Sequence, residues 1–207
     1  MIKLKECIIV EGKYDKIKLE SIFDAVIFVT NGFDIFRDER RMDMICSTAE
    51  KNGVVILTDS DWAGFEIRHK LVSCLPDAKV YNAYVPDVFG KERRKSEPSR
   101  EGKLGVEGLD AETIINAVSD SGVVFCGREQ AKNAPGERAV TKTDLFTDGL
   151  SGSENSGERL RRFKELCGLP EHISKNAMLN YINSVMGYDR YKENVKKCAH
   201  GSSDDCR

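Results

Sequence analysis

Short apolar runs alternate with helically spaced stretches through the first 126 residues, and that alternation is the signature of βα units closing a mostly parallel sheet. The runs are Cys7-Ile8-Ile9-Val10, Ala25 to Val29, Val54-Val55-Ile56-Leu57 and Lys79 to Val85, with Val123 to Cys126 as a fifth candidate. Helices are expected near 14–23, near 37–51, from the Ala63-Gly64 pair to about Cys74, and from Ala111 to Val118. The polar stretch 86–105, broken by Pro86, Gly90, Pro98, Gly102 and Gly105, reads as a long surface loop.

Beyond Gly127 the pattern changes. Residues 127–140 are rich in Gly, Ala, Pro and charge without periodicity, and read as a linker between a domain at 1–126 and a helical domain at 141–197. Thr141 and Asp144 have capping-box spacing. Leu160, Phe163, Leu166 and Cys167 stripe one helix, stopped by Gly168 and Pro170, and Ser174 caps another carrying Met178, Leu179, Ile182, Val185 and Met186. Residues 198–207 read as a disordered polar tail. The expected fold class is therefore α/β, a mostly parallel sheet flanked by helices, followed by a small all-α domain.

Composition narrows the setting. The longest apolar run is five residues, Ala25 to Val29, against the roughly 18 needed to span a bilayer, and the opening Met-Ile-Lys-Leu-Lys-Glu is no signal peptide. Seven scattered cysteines without a CxxC indicate neither a disulfide framework nor a zinc ribbon, and Cys198-Ala-His200 with Cys206 matches no zinc spacing. A cytoplasmic protein with no membrane partner is the expectation. Net charge is −2, so no global positive field announces nucleic acid. Locally the balance differs: Lys91 to Lys103 carries six basic residues, Arg93, Arg94 and Lys95 among them.

Three carboxylates sit just past strand ends: Glu11 after the first run, Asp59 and Asp61 after the third. Loops at the carboxyl ends of parallel strands share one edge of the sheet, so these acids should converge if the two strands are neighbours. Such a cluster repels itself unless it is protonated or neutralised by a cation, and oxygen ligands of this kind select Mg²⁺ or Mn²⁺ over zinc. Gly12 and Gly64 permit close backbone approach, the helix opened by Ala63-Gly64 offers N–H groups to a phosphate, and Lys13 and Arg68 add positive charge beside both. A strand followed by DxD also suggests a haloacid-dehalogenase-type phosphotransferase, but Trp62-Ala63-Gly64 stands where that family wants Thr or Val, and the motif follows the third strand instead of the first.

Ile-Ile-Val-Glu-Gly-Lys-Tyr-Asp at 8–15, Thr-Asn-Gly at 30–32 and Val-Ile-Leu-Thr-Asp-Ser-Asp-Trp-Ala-Gly at 55–64 resemble the Toprim domain of topoisomerases, bacterial primases and some nucleases. Gly-Lys-Leu-Gly-Val-Glu-Gly at 102–108, Asp144-Leu145 with Gly149-Leu-Ser-Gly152, Arg161-Arg162 and Gly187-Tyr188-Asp-Arg-Tyr191 narrow the resemblance to the ribonuclease M5 family, the Toprim endoribonucleases that mature 5S ribosomal RNA. The resemblance runs from about residue 3 to 191. It implies a metal-dependent site of Glu11, Asp59 and Asp61, with Glu107 as an additional acid, holding Mg²⁺ or Mn²⁺. With an RNA substrate, contacts to it are expected from Lys13, Asn31, Gly32, Gly64, Arg68, Arg93, Arg94, Lys95, Arg161 and Arg162. The substrate implied is the 5S ribosomal RNA precursor, with a 5S-binding ribosomal protein as a candidate partner. A Toprim paralogue acting on DNA or another RNA, and a non-catalytic Toprim scaffold, stay open at this point; retention of all three acids argues against the scaffold.

Overall fold

The computed structural model describes residues 1–92, 97, 99, 101–126 and 138–200. The chain divides into two compact units, at Met1–Gln130 and Ala131–Arg207.

In the first unit four parallel strands form one sheet in the order β4 (Ile27–Val29), β2 (Cys7–Val10), β5 (Val54–Ile56), β6 (Val80–Asn82). The register pairs Ile8 with Ile27 on one side and with Val55 on the other, so the central strand runs between two neighbours and is buried over its whole length. Double burial is why these strands appear in the sequence as unbroken apolar runs. Ile8, Val10, Val55 and Leu57 share a core with Leu19 of α1 (Lys13–Glu20) and Ile114 and Val118 of α4 (Ala111–Asp120). Cys7, Ile9, Val54 and Ile56 share the other with Ile45 and Ala49 of α2 (Glu39–Asn52) and Ile67 and Leu71 of α3 (Trp62–Cys74).

Several expectations are corrected here. The first helix ends at Glu20, and Phe23–Asp24 (β3) leaves it to pair in parallel with Ile2–Lys3 (β1), a two-residue strand too short to read in the sequence. Val123 to Cys126 is not a strand. Val123 and Phe125 are buried in the core, while the Cys126 N–H donates to Lys3 O at 3.1 Å, so apolar burial without a ladder produced the strand-like run. The stretch 86–105 is only partly surface loop: Phe89 bridges antiparallel to Lys103, the Gly90 N–H donates to Gly102 O and the Leu104 N–H to Val88 O. Glu92 and Lys103 in this ribbon are buried.

The second unit contains α5 (Lys142–Thr147), α6 (Ser156–Leu166), α7 (Lys175–Tyr181), a π-helical turn at Ile182–Met186 and α8 (Tyr188–His200). The Thr141/Asp144 capping box forms, and Phe163, Met178, Ile182 and Tyr191 are fully buried. Leu166, expected in the apolar stripe, is 48% exposed, because its helix ends there and Leu169 takes the inward place. The expected tail starts too early, since α8 runs through His200 and Cys198 is buried; 201–207 lie outside the described residues. Of the expected linker only 138–140 are described, and Val140 is buried and exchanges two hydrogen bonds with the Asn183 amide. Among the described residues no helix is long and apolar enough to cross a membrane.

Candidate active site

The carboxyl ends of β2, β4 and β5 bring residues distant in sequence to one edge of the sheet. The Thr30 N–H donates to Val10 O and the Asn31 N–H to Glu11 O at 2.9 Å, which sets Asn31, in the left-handed region at φ 53°, beside Glu11. From the neighbouring strand, the Asp59 N–H donates to Glu11 Oε1 at 2.9 Å. A groove of about 300 Å³ opens over this edge, lined by Glu11, Asp15, Asn31, Gly32, Asp59 and Glu107 among others.

The 102–108 segment closes the site through its backbone. The N–H groups of Gly105, Val106 and Glu107 donate in succession to Glu92 Oε1 (3.0 Å), Asp59 Oδ1 (2.8 Å) and Asp15 Oδ1 (3.0 Å). Three consecutive amides thus take three carboxylates, which orients the acids and offsets part of their repulsion. Asp15 is only 7% exposed, and its second oxygen accepts the Gly12 N–H at 2.8 Å. Sequence reasoning missed the clamp formed by Asp15 and Glu92. Asp15 lies at capping-box distance in Glu-Gly-Lys-Tyr-Asp, a local signal; Glu92 carries none, because its partner is thirteen residues away across the ribbon.

Glycine has a steric task at two points of this wall. A Cβ on Gly64 would lie 2.3 Å from Asp59 O and 2.7 Å from Glu11 Oε1, and one on Gly105 would lie 2.8 Å from Asp59 Oδ2. The Gly64 N–H already donates to Asp61 Oδ1 at 2.8 Å, the N-cap of α3. Gly64 is therefore buried spacing between α3 and the acids, a correction to its expected role as a phosphate donor.

Arg68 is corrected too. It is 5% exposed, with Nη1 donating to Ile56 O (2.8 Å) and Asn82 Oδ1 (3.2 Å), Nη2 to Ala83 O (2.7 Å), and its guanidinium 4.5 Å above the Tyr84 ring. Burial lowers its pKa to about 10, with Tyr84 and Glu11 opposing the shift. It ties β5 to β6 and the residue after it, and its buried guanidinium is taken up by these acceptors. Lys13 is exposed in the first turn of α1, and Asn31 and Gly32 line the groove. Arg93, Arg94 and Lys95 lie outside the described residues. Arg161 and Arg162 are on α6 of the second unit, Arg161 exposed and 2.7 Å from Glu165.

Electrostatically the cluster is overloaded. Burial raises the Glu11 carboxyl to about 8, and Asp59, Asp61 and Asp15 push the same way against the hydrogen bond from Asp59. Such a group holds a proton at neutral pH unless a cation takes its place. Among the described residues no three His, Cys, Asp or Glu side chains stand close enough to hold a metal by themselves, since Asp61 is turned to cap α3. The arrangement still fits Mg²⁺, which is commonly bound by one or two carboxylates with substrate phosphate oxygens and water completing its shell.

No family model matches the chain. Among curated proteins it is 38% identical over 196 residues, 94% of this chain and 96% of the relative, to Ribonuclease M5 of Fusobacterium nucleatum. It is 28% identical over 200 residues to Ribonuclease M5 of Bacillus cereus, covering 95% and 96% of the two chains, and 29% identical over 165 residues to that of Bacillus subtilis, covering 80% and 79%. A solved structure described as a small TOPRIM domain protein from Bacillus stearothermophilus is 25% identical, with 56% of this chain and 91% of that one covered and a TM-score of 0.36.

Proposed function

Because the chain belongs to the ribonuclease M5 family, and so is a nuclease acting on RNA, we propose that it is a Mg²⁺-dependent endoribonuclease of structured, double-stranded RNA whose substrate is the 5S ribosomal RNA precursor. The observation that carries the reading is the Glu11–Asp59 contact, in which a carboxyl raised to about 8 by burial and by its acidic neighbours sits at the floor of the groove.

Asp59 and Glu107, which line the groove, offer oxygens that would hold the ion, and Asp61 would join them on turning from its cap on the Gly64 N–H. When bound, Mg²⁺ supplies a Lewis acid for a phosphoryl oxygen and neutralises charge that would otherwise repel the phosphate. Hydrolysis joins a water oxygen to phosphorus and releases the ribose oxygen. Glu11 is assigned to orient that water and accept its proton, a role open to it once a bound cation has displaced the proton it holds in the metal-free chain. The amides of residues 105–107 keep Asp59 and Asp15 from turning into the groove's mouth, and Asn31 and Gly32 form the wall along which the backbone of the RNA would run. Arg161 and Arg162, and separately the basic stretch at 93–95, are assigned to phosphates of the RNA.

The test is incubation of the full chain with labelled 5S precursor, generic duplex RNA and duplex DNA, each with Mg²⁺ and with EDTA, and with and without a 5S-binding ribosomal protein. Cleavage of the precursor in Mg²⁺ alone among these conditions is expected, faster when the ribosomal protein presents it. Equal cutting of duplex DNA, or cutting in EDTA, would overturn the reading.

A further inference from the structure

Trp62 is the only tryptophan in the chain and is 64% exposed, although it follows directly on Asp61. Its backbone is not loose. The Trp62 N–H donates to Glu101 Oε1 at 3.2 Å, and Glu101 Oε2 lies 3.1 Å from Lys103 Nζ. Lys103 itself is 5% exposed, 3.2 Å from Asp87 Oδ1, and donates to Ser60 O at 3.4 Å. A buried ammonium thus ties Asp87 and residues 101–103 to the chain on both sides of Asp61, and the indole stands on that fixed base at the start of α3.

We propose that Trp62 is a nucleobase-stacking platform, receiving an unpaired or splayed base of the RNA next to the cleaved phosphate. The chemistry beside the acids favours a ring over a charge. A lysine or arginine next to Asp61 would compete with a cation for that carboxylate, whereas an uncharged indole adds affinity for a polyanion without that competition. Every base has a π-face, so stacking is tolerant of sequence, but a base inside a continuous helix has both faces covered. The substrate feature implied is therefore a helix end, a bulge or a nucleotide turned out of the duplex at the cut. This inference rests on the ribonuclease reading above and refines its substrate.

Because Trp62 is unique, its emission reports on this position alone. The full chain is titrated in EDTA with an RNA hairpin carrying one unpaired nucleotide in its stem, with the same hairpin fully paired, and with a 5S-binding ribosomal protein, while binding is followed independently by gel mobility. Expected is quenching by the bulged hairpin and little by the paired one. Trp62→Ala should bind the bulged hairpin on the order of 5- to 150-fold more weakly and the paired hairpin as before, with Trp62→Phe retaining most of the affinity. Unchanged emission on an RNA seen to bind, or equal binding of both hairpins by Trp62→Ala and wild type, would overturn the assignment while leaving the nuclease reading intact. A response to the ribosomal protein and not to RNA would make Trp62 a protein contact and overturn it as well. Wild-type protein that neither binds nor cuts any RNA would remove the nuclease reading first and this inference with it.

Discussion

Glu11 and Asp59, 48 residues apart in the chain, meet through Glu11 Oε1 and the Asp59 N–H at 2.9 Å, at the point where β2 and β5 end side by side. The bond makes each acid's position depend on the other. It also holds a carboxyl against a second carboxylate residue, which is the source of the electrostatic behaviour expected below.

Asp59→Asn should abolish cleavage and spare the fold. The amide oxygen can still accept the Val106 N–H, so the clamp at 105–107 survives, but one unit of charge leaves the acidic cluster. A fall in kcat of at least about 100-fold at saturating Mg²⁺, with an unchanged circular dichroism spectrum, is the expected result. Wild-type rates would place the metal elsewhere.

Metal-free stability should fall as pH rises. Glu11 titrates at about 8 in the folded chain against 4.5 ordinarily, so between these values the folded state binds more protons than the unfolded one. The slope of unfolding free energy against pH is then negative in that window. In EDTA, Tm should decline from about pH 5 to about pH 8 more steeply for wild type than for Glu11→Gln. On the proposed metal binding at these acids, added Mg²⁺ would displace that proton and should flatten the wild-type curve toward the variant's. Parallel curves for the two proteins in EDTA would refute the coupling.

Gly64→Ala should damage both stability and activity, because the new Cβ would sit 2.3 Å from the backbone oxygen of Asp59, an atom that cannot swing aside. A cost of about 1–3 kcal/mol in chemical denaturation is expected. Gly157→Ala, where the same atom meets nothing within 4 Å, serves as the comparison and should be neutral or slightly stabilising.

Arg68→Met should lower stability without touching the salt dependence of RNA binding. Its guanidinium bonds two backbone carbonyls and the Asn82 side chain inside the unit, so removing it leaves those acceptors unpaired. Arg161→Ala with Arg162→Ala should do the reverse, leaving Tm nearly unchanged while flattening the slope of log affinity against log salt by up to about 0.7–0.9 per lost phosphate contact. Equal slopes for wild type and the double variant would show that α6 touches no phosphate.

Much of this molecule is local information. The parallel sheet was legible because a strand covered on both faces must be apolar throughout, and Ile8, Ile9 and Val10 advertise that directly. Strand ends in such sheets share an edge, so Glu11 and Asp59 could be expected to meet if their strands were neighbours, as β2 and β5 are. Asp61, grouped with them by the same argument, turns instead to cap α3. Caps are local too, which is why Thr141 and Asp144 behave as their spacing suggests.

What the tertiary structure decided are the relationships that no sequence window spans. Whether Arg68 faces a phosphate or three acceptors at the ends of β5 and β6 depends on where β6 returns, and its charge alone gives no direction. Gly64 looks the same in sequence as a phosphate-loop glycine; only the approach of Glu11 and Asp59 shows that it makes room for them. Lys103 reads as one more cation in a basic loop until Asp87, Glu101 and the Ser60 carbonyl surround it. Sequence periodicity fixes which face of an element is apolar because that is a property of one segment. The use made of a charge, or of a missing side chain, is set by atoms contributed from elsewhere in the chain, and those are brought together only by the fold.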